Sequence, residues 1–326
     1  MRVLITGMGG ELGTRVAQLI EAKEWADDVV GVDFVPPRRR LRRAQFRRID
    51  PREPDRMRAF VEEYAPHVVA HFGVYEPASR MTPASAHERT ELCTQATLHG
   101  AASTGVLEYV VVRSGLEVYG PPRARISVPG EDVIPDPRTP YGRSLLDVEG
   151  AAKGLALRAG IPVGALRYAP VVGSHVPSPI GRLLRLPVVP VSALSDPPFS
   201  LLHPDDAAEA MVVAIERRID GPCNIVGPGA ATPWQAARLG GRVPMPVVPG
   251  GWGLAGRVAE IAGAAIAPHV VELLRHGCTG DGTRARERLG LTALAPTQQV
   301  LRELFDWADV VPVSYTHLTL PTTERV

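Results

Sequence analysis

The chain predicts an α/β fold: a doubly wound parallel sheet with helices on both faces, followed by a smaller C-terminal region. Two observations carry this expectation. Short apolar runs alternate with helix-period segments through the first half, the pattern of strands joined by crossover helices. The first unit, "RVLITGMGGELGTRVAQLIEA" followed by "DVVGVDF", sets strand, glycine turn, helix and strand in direct succession. The 326 residues, 45% hydrophobic and 22% charged, suffice for one large α/β domain or two smaller ones.

In the front unit, Leu12, Val16, Leu19 and Ile20 recur near the helical period. Gly7, Gly10 and Gly13, with Gly9 between them, fit T-G-x-x-G-x-x-G. Gly7 allows the tight turn, Gly9 and Gly10 let backbone N–H groups approach a pyrophosphate, and Gly13 lets the helix pack on the strand. The helix N-terminus, beginning near Leu12, then faces the anion. Asp33 ends the second strand 20 residues beyond Gly13, where a carboxylate can hydrogen-bond both ribose hydroxyls. That charge would repel a 2′-phosphate, so NAD is expected over NADP. The run "RRRLRR", Arg38 to Arg43, is the counter-evidence, since its guanidiniums could neutralise such a phosphate; a solvated face or a cover for the adenosine side is the alternative. As a nucleic-acid patch it lacks interleaved aromatics and is followed by Asp50, Glu53 and Asp55.

Further along, "RRID" puts Asp50 just past a strand end, placed either to meet the adenine amino group or to cap the next helix. "RMRAFVEEYAPHVVAHFG" reads as helix then strand, ending at His71, Phe72 and Gly73 beside the expected cofactor loop. "TELCTQATLHGAASTG" gives another helix, and "LEYVVVRSGLEVYG" a strand running into a loop. Helix "PYGRSLLDVEG" follows, with Asp147 and Glu149 on different faces and so no paired acid dyad. In "LLHPDDAAEAM", the acids Asp205 and Asp206 are expected to cap a helix rather than to bind metal with His203. Metal is not expected elsewhere either, because Cys93, Cys223 and Cys278 are widely spaced, and their odd number argues against a disulfide framework.

The N-terminus reads as a buried strand and not as a leader, and the most apolar late stretch is broken by Arg257, Glu260 and Pro268. A cytoplasmic protein acting on a small molecule, without a membrane or nucleic-acid partner, is the expectation. "VSYTHLTLPTTERV" at the end lacks apolar periodicity, and its Val313 to Thr323 run resembles the translation of a transposase adapter used in sequencing libraries. It is expected to be an assembly scar, or else an authentic disordered tail.

The pieces "TGMGGELG", "VVGVDF", "RRID", "VVAHFG", "VVVRSGLEVYG", "PYGRSLLDVEG", "ALRYAPVVG" and "FSLLHPDDAAEAM" together resemble the extended short-chain dehydrogenase/reductase family of NAD-dependent epimerases and dehydratases, and within it a bacterial subgroup similar to UDP-glucose 4-epimerases. The resemblance implies a Rossmann-type NAD-binding domain over residues 1–173, and a substrate-binding region over 174–312 with elements returning to the first domain. Residues 313–326 fall outside both. It also implies a nucleotide-sugar substrate, and dimerisation is common in such proteins. The family's catalytic group is an Asn, a Ser or Thr, and a Tyr with a Lys four residues on. Tyr141 matches the tyrosine, but Leu145 stands at the lysine position, Gly115 at the hydroxyl position, and the asparagine position falls near Glu91. The lysine would hold the nicotinamide ribose and lower the tyrosine pKa; without it, phenolate is scarce at neutral pH. Arg113 and Arg143 could supply charge but not relay a proton. Ser114 and Ser144 are spare hydroxyls. Two expectations follow: an epimerase-like oxidoreductase with a weakened Tyr141, or an NAD-binding pseudoenzyme in which Tyr141 only lines the cofactor site.

Overall fold

The computed structural model describes residues 1–78, 81–122, 128–173 and 175–306, so the expectation for the 313–326 tail lies outside the described residues. The front unit forms as its pattern predicts. Strand β1 (Arg2–Thr6) is buried after its first residue, because neighbours cover both of its faces. Helix α1 (Glu11–Ile20) buries Leu12, Val16 and Ile20, whereas Leu19 is 40% exposed. Its N-cap is Gly10, which offers no side-chain acceptor and leaves the first N–H groups open.

Strands β2 (Asp28–Asp33) and β3 (Gln45–Arg48) lead to α2 (Pro54–Tyr64), β4 (Val68–His71) and α3 (Pro83–Ser103). Thr82 caps α3 through the Ser85 N–H. Strand β5 (Tyr109–Gly115) runs into a 3-10 turn over Leu116–Tyr119. Helix α4 (Pro140–Ala159) starts with a Thr139 cap and Pro140, and stops at Gly160 in the left-handed region (φ 67°). Strand β6 (Val163–Tyr168) follows.

The chain then leaves for α5 (Pro179–Leu184) and β7 (Val188–Ser192), and returns through α6 (Pro204–Arg217) and β8 (Gly221–Ile225). The remaining elements are α7 (Pro233–Leu239), β9 (Val243–Val247), α8 (Trp252–Ile261), α9 (Pro268–His276), α10 (Thr283–Leu289) and α11 (Thr297–Asp306).

The main sheet has seven strands in the order β3-β2-β1-β4-β5-β6-β8, all parallel. β3 forms one edge and β8 the other. The order reverses between β1 and β4, the point where ligands of doubly wound sheets bind at the carboxyl ends of the strands. One hydrophobic core joins this sheet to its helices, including α6 and α10. A second core gathers α5, α7, α8, α9 and α11 with the parallel pair β7 and β9. No helix among the described residues is long and apolar enough to cross a membrane.

Candidate functional site

At the sheet's reversal point lies a groove of about 440 Å³. Gly7, Gly9, Gly10, Leu12, Gly13 and Asp33 line one side, and Phe72 the floor. Gly7 has φ 68°, and a Cβ there would come within 2.5 Å of the Phe72 carbonyl oxygen, so the turn requires glycine at this point. A Cβ on Gly9 would overlap the Val35 carbonyl, and one on Gly13 the Gly7 carbonyl, so three backbone segments close tightly around the groove.

Asp33 accepts hydrogen bonds from the N–H of Gly9 (3.0 Å) and of Phe34 (2.7 Å). Burial nevertheless pushes its carboxyl up to about 6, and the backbone N–H groups offset that only in part. His71 lies fully buried behind the floor, between the hydroxyls of Thr6 (2.8 Å) and Thr94 (2.9 Å). Burial lowers its pKa to about 4, so it is neutral and structural at ordinary pH. The Thr6 hydroxyl also accepts from Gly73 N–H, which fixes the strand end behind the groove.

Gly73 and Asp50 do not line the groove. Asp50 pairs with Arg52 (2.9 Å) and with Arg89 (3.5 Å), and accepts from Arg52 N–H in a local turn. The pairing with Arg52 holds its carboxyl below the usual range, against the opposing effect of burial. Glu53, not Asp50, occupies the N-cap position of α2.

Tyr141 sits in the first turn of α4, 5% exposed, where its hydroxyl meets Arg113 Nη2 at 3.5 Å. Arg113 is itself a wall residue of the groove and also donates to the Val74 carbonyl. The guanidinium therefore stands between cofactor groove and tyrosine, while Leu145 is fully buried beside Gly115. Burial still raises the Tyr141 hydroxyl well above its ordinary value; Arg113 pulls it down, and Glu76 and Glu117 push it further up.

Ser114 takes no part in this group. Its hydroxyl donates to Glu149 (2.5 Å), which pairs with Arg167 (2.7 Å), and Arg167 reaches the Tyr119 hydroxyl (2.9 Å). Adjacent strand residues point to opposite faces, which separates Ser114 from Arg113 and Gly115. Ser144 bonds His87, Arg143 is exposed, and Glu91 is exposed on the outer side of α3. Cys93, on the same helix, packs against Gly73.

Beyond Tyr141 opens a second cavity of about 200 Å³, lined by Glu117, His269, Glu272 and several prolines. The His269 ring packs on Tyr141 with centroids 4.7 Å apart, and its Nε2 lies 3.1 Å from Glu76 Oε1. Glu117 occupies the space that Gly115 leaves open, since a Cβ on Gly115 would overlap Glu117 Oε2. Burial raises the Glu117 carboxyl, with His269 and Arg113 acting against that and Glu76 adding to it. The sequence reading missed Glu76, Glu117 and His269, and treated Arg113 only as a spare charge. The strand period could have singled out Arg113, which shares a face with Gly115.

His203, not Asp205 or Asp206, caps α6, its Nδ1 accepting from Asp205 N–H. Asp205 is drawn instead to Arg15, and Asp206 accepts from Ala295 N–H, so the better acceptors of the first turn are used in tertiary contacts.

Fold and groove together define a dinucleotide-binding α/β protein. The NAD dependent epimerase/dehydratase family matches residues 3–226, and the chain belongs to that family. An uncharacterized protein of Mycobacterium tuberculosis is 29% identical, covering 97% of this chain and 86% of its own length. Among solved structures, the complex of MoeE5 with UDP-glucuronic acid and NAD has a TM-score of 0.70 at 25% identity, covering 94% of this chain and 98% of that one. The UDP-glucose 4-epimerase of Thermotoga maritima, solved with UDP-glucose, has a TM-score of 0.69 at 20% identity with the same coverage. The residues present fit NAD: a glycine turn too tight for side chains, an uncapped helix N-terminus and a buried ribose-side carboxyl.

Proposed function

We propose that the protein is an NAD-dependent oxidoreductase of nucleotide sugars, of the epimerase type, in which Arg113 and Glu117 stand in for the missing lysine and hydroxyl. The observation that carries this reading is the exchange at the end of β5: Gly115 has no side chain, and the Glu117 carboxyl fills the vacated space next to the second cavity. The NAD-type complexes of MoeE5 and of the Bacillus cereus UDP-glucuronic acid 4-epimerase support the cofactor and the substrate class.

The bound cofactor supplies a hydride acceptor. Gly7 to Gly13 hold its pyrophosphate and Asp33 its ribose. Tyr141 stays protonated, because burial outweighs Arg113, and so acts as a hydrogen-bond donor to the sugar oxygen. Glu117, whose carboxyl burial makes more basic than usual, takes the proton of the hydroxyl being oxidised and returns it when the carbonyl is reduced. Arg113 provides fixed positive charge for the developing oxyanion. His269, held by Glu76, keeps Tyr141 in place.

The test is NMR of sugar interconversion by NAD-loaded protein, with UDP-glucose and UDP-glucuronic acid as probes. Glu117→Gln is expected to lower kcat by about 10²- to 10⁴-fold, and Tyr141→Phe to lower it as well. Unchanged turnover in Glu117→Gln would overturn the assignment. A second reading, an NAD-binding protein without turnover, is favoured by one observation: the 3.5 Å separation of Arg113 from a tyrosine that burial keeps protonated. It predicts NAD binding with no conversion of either sugar.

A further inference from the structure

Asp50 sits past a strand end, a position from which a carboxylate could accept the 6-amino group of adenine, yet its carboxylate is already engaged by two arginines. One of them, Arg89 on α3, lines the cofactor groove while only 9% exposed. Its Cζ lies 4.1 Å from the Phe34 ring centroid, and its Nε and Nη1 are buried without a hydrogen-bond partner. Tyr75, on the same groove wall and 5.9 Å from Phe34 ring to ring, also buries an unpartnered hydroxyl. Unmatched buried donors are costly, and more so on a charged group. Phe34 directly follows Asp33, so a base attached to the ribose at Asp33 comes to this platform.

We infer that the groove recognises the purine through Arg89 as a hydrogen-bond donor to ring acceptors, and not through its 6-amino group at Asp50. A guanidinium stacked on Phe34 presents its N–H edge in a fixed plane, and adenine offers N7 and further ring nitrogens as acceptors. The inference rests on the cofactor reading above. It has a consequence for selectivity: a dinucleotide whose adenine is replaced by unsubstituted purine keeps every ring acceptor and loses only the amino group, so it binds as NAD does.

The experiment is calorimetric titration of the full-length protein with NAD, the unsubstituted-purine analogue, ADP-ribose and nicotinamide mononucleotide, alongside thermal melts without ligand. Wild type is expected to bind NAD and the analogue within about threefold of each other. Arg89→Leu is expected to weaken NAD and ADP-ribose about tenfold to a hundredfold, with the mononucleotide unaffected and Tm unchanged or raised. Arg89→Lys, which keeps the charge without the planar fork, should fall between them. Equal NAD affinity in wild type and Arg89→Leu overturns the inference, as does a strong preference of wild type for NAD over the analogue. A drop in Tm with affinity retained shows a structural arginine and overturns it too. No NAD binding by wild type overturns the cofactor reading itself, a result distinct from all of these.

Discussion

Replacing Asp33 by Asn should make the ligand-free protein more stable at neutral pH. Asp33 is 3% exposed, and burial raises its carboxyl from 3.8 to about 6. An acid whose pKa is higher in the folded state holds more protons there than in the unfolded chain. Stability therefore falls as pH rises through the window from 3.8 to about 6, and the full penalty is present above it. At about 1.36 kcal/mol per pH unit, that gap amounts to ~3 kcal/mol. The assay is urea unfolding of wild type and Asp33→Asn at intervals from pH 4 to pH 8. The other titrating groups cancel in the difference, which should grow in favour of the variant by about 2.4 kcal/mol between pH 4 and pH 7, the rest of the gap lying below pH 4. The two backbone N–H bonds bound this gain, since an amide can accept only through its oxygen. A flat difference, or one favouring wild type with rising pH, would refute the reasoning. NAD affinity should show the complement, weakening in wild type below about pH 6 as the ribose acceptor becomes protonated, and staying level in the variant.

Glu149→Gln removes the charge opposite Arg167, which is 4% exposed, and should cost about 3–5 kcal/mol by chemical denaturation; a loss under about 1 kcal/mol would show the pair to be solvated. Gly13→Ala sets a methyl group against the Gly7 carbonyl, so NAD binding should be lost by calorimetry, with a stability cost of about 1–3 kcal/mol. Gly115→Ala should push the Glu117 carboxyl out of its place, lowering kcat at least about tenfold while NAD affinity holds; unchanged kcat would dissociate Glu117 from catalysis.

The glycine-lined half of the groove was legible in the sequence because backbone geometry dictates it. Gly7 needs a positive φ, Gly13 a close helix approach, and Asp33 falls at a strand end whose length the apolar run sets. The cluster around Tyr141 was not. His269 comes from α9, and only the packing of the second core against the first brings it to Tyr141, where it meets Glu76 from the segment after β4. Glu117 lay two residues from the glycine that looked like a loss, but its role appears only when the space at Gly115 is seen to be filled. Ser114 looked like a substitute hydroxyl by adjacency alone, and strand alternation sends it to Glu149.

The two rims of the main sheet bear on how copies of the chain can associate. β3 is four residues long and carries exposed Arg47 and Arg48. On β8, Pro222 has no N–H to offer and its carbonyl accepts from Arg284, while the Asn224 N–H is taken by Glu131. A strand arriving from another molecule would meet a short cationic margin at one side and an occupied ladder at the other. Self-assembly by extending the main sheet is thus disfavoured at both ends.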